Sequence, residues 1–374
     1  MTDRGDRGAL GAIAGSAIGT TTASRSQNGG PNGGDLADER ALVEAIGRER
    51  LTGLALAAVE RGDLHLSTAG HDELWIRHED QLMLDLRLER LLVEAATLLE
   101  RADIPYRALK GPVLAHTVYA DPSLRSFGDI DLLVADDTFD RAIAALRALD
   151  FERRFIEPRR GFDARFSKGA CLERADDLEL DLHRTLAPGA FGLRLGNTEL
   201  FRRSPRCFDL AGKTITGIDP ELAFVHACFH AALGDFPPRL VPLRDVVELH
   251  AAGFDTSVVT DVITSVRCES VLQRAVHLVE AELGIHLDGE LVDWLRAYRS
   301  TRFDRWALRG YDREDRSYAT QVAASLCALP SVRDRAAYVA ALAFPRRDYV
   351  RARERSYARR LNRGVQVFNG SRTR

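Results

Sequence analysis

The chain has 374 residues, 45% of them hydrophobic and 29% charged, with a formal net charge of -3, so it can hold two compact domains and has no global pull toward nucleic acid or membrane. Five scattered cysteines, Cys171, Cys207, Cys228, Cys268 and Cys327, form no C-x-x-C pair, so neither a disulfide framework nor a zinc knuckle is indicated and a reducing cytoplasm is expected. No segment has the apolar length of a membrane span, and the short run 9–14, interrupted by glycine, lacks the flank of an export signal.

Residues 1–36, rich in Gly, Ser, Thr and Asn, are expected to be a disordered tail. Residues 37–101 read as N-terminal helices: Leu42, Ile46, Leu51, Leu54 and Leu56 lie near helical spacing, and 81–101 carries Leu84, Leu88, Leu91, Leu92, Ala95, Leu98 and Leu99 on one face. The period then changes. Residues 103–109 read as a strand, Lys110-Gly111-Pro112 as a turn and 113–119 as a helix; a strand follows at 129–134. Asp136 or Asp137 can cap the next helix, with Phe139, Ile143, Leu146 and Leu149 on one face, and 166–173 and 178–183 form a hairpin around Ala175-Asp176-Asp177. This order predicts an α+β catalytic domain at 102–215, a small mixed sheet with flanking helices.

An all-helical domain is expected at 216–344, with candidates at 221–233, 243–252, 257–283 and 291–298. Residues 345–374 form a basic tail, ten arginines against Asp348 and Glu354 with Tyr349, Tyr357 and Phe368 interspersed. A solvated tail helix is the preferred reading of it, a nucleic-acid contact the alternative.

Asp129 and Asp131 stand two apart on the expected strand, so both side chains leave one face while Ile130 and Leu132 enter the core. Close carboxylates repel unless a cation sits between them, and hard oxygen ligands at this spacing suit Mg²⁺. In Leu178-Glu179-Leu180-Asp181-Leu182-His183 the leucines share one face and Glu179, Asp181 and His183 the other. Asp181 is the preferred third carboxylate, with Glu179 as its competitor. Lys110 and Gly111, at a strand-to-helix turn, could meet a phosphate. Only three of the 52 basic residues are lysines, Lys110, Lys168 and Lys213, which gives Lys110 extra weight. Arg125 could contact departing pyrophosphate or brace its loop. His226 and His230 share a helical face, but no H-E-x-x-H pattern supports a metal site there. Asp245 could meet a base or ribose, or pair with a helix-borne arginine.

In order, Leu109-Lys110-Gly111, Tyr119-x-Asp121-Pro122, Arg125, Asp129-Ile130-Asp131-Leu132-Leu133-Val134 and Glu179-Leu180-Asp181-Leu182-His183 resemble a family of uncharacterised bacterial nucleotidyltransferases, a branch of the DNA polymerase β-like superfamily. The likeness spans about residues 80–350, taking in His226-Ala227-Cys228-Phe229-His230, Arg244-Asp245-Val246 and Phe344-Pro345-x-x-x-Tyr349. It implies a palm-like sheet on which Asp129, Asp131 and Asp181 hold Mg²⁺ or Mn²⁺, with Lys110 and Gly111 in place of the superfamily's Gly-Ser phosphate loop. Phe229 departs from the family's frequent lysine. The implied reaction is transfer of NMP from an NTP to a hydroxyl or phosphate acceptor, with release of pyrophosphate. The alternatives are a nucleotide-binding module without turnover and a protein that contacts nucleic acid through its basic end.

Overall fold

The computed structural model describes residues 4–16, 36–312 and 318–353. Its first element is a helix, α1 (Arg4–Gly15), where composition predicts a disordered tail. Leu10, Ile13 and Ala14 recur at helical spacing and are buried in the larger core, and Arg7 Nε meets Glu282 Oε2 at 2.7 Å. Averaging over a glycine-rich stretch hides this short apolar stripe. The rest of the expected tail, 17–35, lies outside the described residues.

The next helical stretch is split into α2 (Leu36–Arg48) and α3 (Thr52–Glu60), because Arg50 turns into the left-handed region with φ 57°. α4 (Thr68–Arg101) begins earlier than its leucine stripe, capped by Ser67, whose Oγ accepts from Gly70 N at 3.1 Å.

β1 (Tyr106–Leu109) enters α5 (Lys110–Thr117) through Lys110 and Gly111, at φ 26° and 34°. β2 (Ile130–Val134) leads to α6 (Phe139–Leu146), whose N-cap residue is Thr138 with no side-chain cap bond, so neither Asp136 nor Asp137 caps it. Asp136 instead meets Arg184 Nη1 at 3.3 Å. Then come β3 (Glu152–Arg153), α7 (Asp163–Phe166) and the expected hairpin of β4 (Gly169–Glu173) and β5 (Glu179–His183). α8 (Gly189–Arg194) and α9 (Asn197–Arg202) precede a second hairpin, β6 (Arg206–Leu210) and β7 (Lys213–Gly217), that the sequence reading did not anticipate. Its two-residue loop, Ala211-Gly212, has positive φ at both positions, as tight hairpin turns require.

The seven strands form one mixed sheet in the order β3-β4-β5-β2-β1-β7-β6, with β2–β5 and β1–β7 parallel and the other pairs antiparallel. The α+β expectation holds. Period-2 alternation gives the sheet two different faces. Tyr106, Ala108, Ile130, Leu132, Val134, Leu180 and Leu182 pack with residues of α4 and α6 in one core. Leu109 and Leu133, from the opposite face, join a second core shared with the helical half.

That half comprises α10 (Pro220–Leu233), α11 (Leu240–Ala252), α12 (Thr256–Val266), α13 (Glu269–Leu283), α14 (Glu290–Ala297), α15 (Arg302–Leu308), α16 (Tyr318–Ala328), α17 (Val332–Ala343) and α18 (Arg347–Arg353). The helix expected at 257–283 is two, because Arg267 turns at φ 54° and Cys268 N–H returns to Ile263 O. The second core also takes in α1, α2 and α3, so the boundaries expected at 101 and 215 do not separate cores. α18 opens the basic segment and buries Tyr349 and Val350, while 354–374 lie outside the described residues. Among the described residues no helix is long and apolar enough to cross a membrane.

Candidate functional site

Parallel pairing of β2 with β5 sets Asp131 directly beside Asp181 and Leu133 beside His183, on the sheet face opposite α4 and α6. Asp129 lies just before β2. From β1, whose Leu109 is in register with Asp131, the positive-φ turn delivers Lys110 to both acids of the D-x-D pair. Its Nζ is 3.0 Å from Asp131 Oδ1 and 3.8 Å from Asp129 Oδ2. Lys110 is a non-glycine residue held at positive φ, a conformation kept only where the surroundings enforce it. Asp129, Asp131, Asp181, Lys110 and Gly111 thus gather at one place.

Two further residues belong to the cluster. His183 Nε2 lies 2.8 Å from Asp131 Oδ1, and one ligand atom from each of Asp131, Asp181 and His183 lies within 4.8 Å of the others. Lys168, just before β4, adds positive charge felt by Lys110, Asp131 and His183. Both could be reached from sequence: His183 shares the acidic face of its strand, and Lys168 is one of three lysines.

Burial opposes the Asp131 charge, but Lys110 and the His183 hydrogen bond outweigh it and hold this carboxyl well below the ordinary range. Asp129 moves the other way, raised by burial and by the Asp131 charge against the pull of Lys110. Burial lowers Lys168, with Lys110 adding like-charge repulsion, whereas Lys110 is raised because Asp131 and Asp129 overcome its own burial. Burial and Lys168 lower His183 toward its neutral form. An ionised carboxylate only accepts, so Nε2–H donates to Asp131, and Nδ1 is left as a buried atom without a hydrogen-bond partner. α10 roofs this face: His226 meets His183 edge-on at 6.0 Å between ring centroids. His226 and His230 are both lowered, chiefly by burial, and neither joins the Asp–Asp–His group.

The remaining candidates form a separate pair. Arg125 Nε donates to Asp245 Oδ1 at 2.7 Å and Nη2 to Oδ2 at 2.8 Å, while Nη1 donates to Ser126 O at 2.5 Å. Tyr119 OH also donates to Asp245 Oδ1, at 2.8 Å. Arg125 therefore braces its own loop against α11, and the partner of Asp245 comes from that loop rather than from a helix. Glu179, at the start of the interior strand β5, is engaged by Arg154, which leaves the central position to Asp181. Asp181 instead faces Cys171, whose thiol is pushed up to about 12 by burial and the Asp181 charge.

A mixed sheet that gathers three carboxylates, a buried lysine and a histidine on one face defines an α+β protein with a candidate cation site. The chain belongs to a family of uncharacterised nucleotidyltransferases, whose model matches residues 35–284. Comparison with curated proteins gives no match. Among solved structures, an antigenic nucleotidyltransferase-like protein from Paracoccidioides brasiliensis is similar at 14% identity, over 52% of this chain and 93% of that one, with a TM-score of 0.28.

Proposed function

We propose that the chain is a metal-dependent nucleotidyltransferase that moves NMP from an NTP to an acceptor and releases pyrophosphate. The observation that carries this reading is the registration of Asp131 beside Asp181 on parallel strands, with Asp129 adjacent and Lys110 already lying against the acids as a cation. The donor set suits a hard divalent ion: Asp129, Asp131 and Asp181 would hold Mg²⁺, and the neighbouring imidazole makes Mn²⁺ acceptable. Such an ion would supply charge stabilisation at the reacting phosphoryl oxygens.

His183 orients Asp131 through its Nε2–H, and Lys110 and Lys168 offer charge to phosphate oxygens. The buried roof of α10 limits water at this face. The acceptor hydroxyl gives its proton to Asp181 as its oxygen bonds to the α-phosphorus, and the bond from that phosphorus to the bridging oxygen breaks, so pyrophosphate leaves with the electron pair. The test is calorimetric titration of each NTP with Mg²⁺, followed by an acceptor screen. Asp129→Asn is expected to abolish transfer in a folded protein; undiminished turnover would overturn the reading.

The contact of Lys110 with Asp131 favours a second reading, a nucleotide-sensing module without turnover. Metal-dependent NTP binding with no pyrophosphate release on any acceptor would select it.

A further inference from the structure

Arg50 stands between α2 and α3 with its N–H bonded to Gly47 O at 3.0 Å. The left-handed turn sends its side chain to the loop before Asp129. A Cβ built on Gly128 would lie 1.9 Å from Arg50 Nη2 and 2.2 Å from its carbon Cζ, so the guanidinium rests on bare glycine backbone. Gly128 is a cradle that any side chain would fill.

The buried Arg125 is tied off on Asp245, and the partly buried Arg153 on Asp163. Arg50 has no hydrogen bond or ion pair from its guanidinium among the described residues. It is nevertheless partly buried, which weighs against its charge, and Asp129 is the main favourable charge acting on it. Asp129 lies beyond ion-pair distance and is approached more closely by Lys110, so neutralising that acid does not account for Arg50. A planar fork of five donors left beside a cluster of carboxylates matches the oxygens of a polyphosphate that arrives with its cation.

We propose that Arg50 binds the triphosphate of the donor nucleotide from the Asp129 side of the cluster. The inference rests on the nucleotidyltransferase reading and adds a phosphate contact from the N-terminal helices, outside the sheet. In it Arg50 is a substrate-binding residue, whereas Arg125 is not.

The experiment is calorimetric titration of NTPs, the matching NMPs and inorganic tripolyphosphate, each with Mg²⁺, into the full chain and into Arg50→Ala, Arg50→Lys and Gly128→Ala. Arg50→Ala should weaken NTP and tripolyphosphate binding about 10–100-fold, the range of a lost charge-assisted contact, and leave NMP binding within about threefold. Arg50→Lys should recover part of the affinity. Gly128→Ala retains the arginine but displaces its guanidinium, so it should reproduce the loss. NTP affinity equal to wild type in folded Arg50→Ala and Gly128→Ala would overturn the inference and leave the nucleotidyltransferase reading standing. Wild-type protein that binds no NTP or tripolyphosphate would overturn both.

Discussion

Two charge clusters stand at the two ends of the loop from Arg125 to Asp129, and they are built differently. In the Tyr119–Arg125–Asp245 group each nitrogen of the guanidinium has an acceptor and both carboxylate oxygens have donors. In the Asp129–Asp131–Asp181 group acids are crowded together, Lys110 serves two of them, and His183 Nδ1 has no partner. The first has the satisfied geometry of a structural joint. The second keeps unmatched charge and an orphaned polar atom, which buried groups retain chiefly where they act on something else. The difference teaches that burial alone does not mark a functional residue; what marks it is polar capacity left unused.

The largest effect expected from this contrast is on stability. Arg125→Ala leaves the Asp245 carboxylate buried without its counter-charge and should cost about 3–5 kcal/mol in denaturant unfolding. Arg125→Met combined with Asp245→Leu should recover part of that. NTP affinity in folded Arg125→Ala should stay close to wild type; its loss would erase the distinction between the clusters.

Asp85 links the two. It accepts from Phe127 N at 3.1 Å and Gln81 Nε2 at 2.9 Å, and so positions the loop between Arg125 and Asp129. Burial raises its carboxyl to about 6. A folded value above the unfolded one means the folded state binds the proton more tightly, so this group's contribution to stability is fullest at pH 4 and declines as pH rises to about 6. Asp85→Asn, which keeps an acceptor oxygen, should remove that decline. The variant should gain roughly 2 kcal/mol relative to wild type at pH 7 over its difference at pH 4, as read from unfolding curves. Identical pH profiles for the two proteins would contradict it.

The smallest effect on stability belongs to the site itself. Asp129→Asn, which ends transfer in the proposed mechanism, relieves repulsion among the acids and should shift unfolding by no more than about 1 kcal/mol in either direction. A loss comparable with that of Arg125→Ala would make the acidic group a structural joint as well.

The sheet strands around the site were legible because their signal is local. Alternation in 129–134 and 178–183 names the face of each residue, and pairing β2 with β5 does the rest. The partnership of Arg125 with Asp245 joins residues 120 positions apart, and nothing in the spacing of either announces it. α1 was hidden by composition, although Leu10, Ile13 and Ala14 have helical spacing, and β6–β7 was missed despite alternation on both strands and an Ala-Gly turn. Arg50 was illegible for another reason: its position depends on a single left-handed residue that splits one apolar run into two helices.

The scarcity of lysine has a chemical consequence. Of the three, Lys213 is tied to Glu100 Oε2 at 2.6 Å on the far hairpin, and the other two stand at the acidic cluster. The acids raise Lys110 above the ordinary lysine value, whereas burial and repulsion from Lys110 lower Lys168 from it. An amine-reactive nucleotide analogue would thus find its lysines beside the sheet acids, and peptide mapping should place the adduct on Lys110 or Lys168 rather than on Lys213.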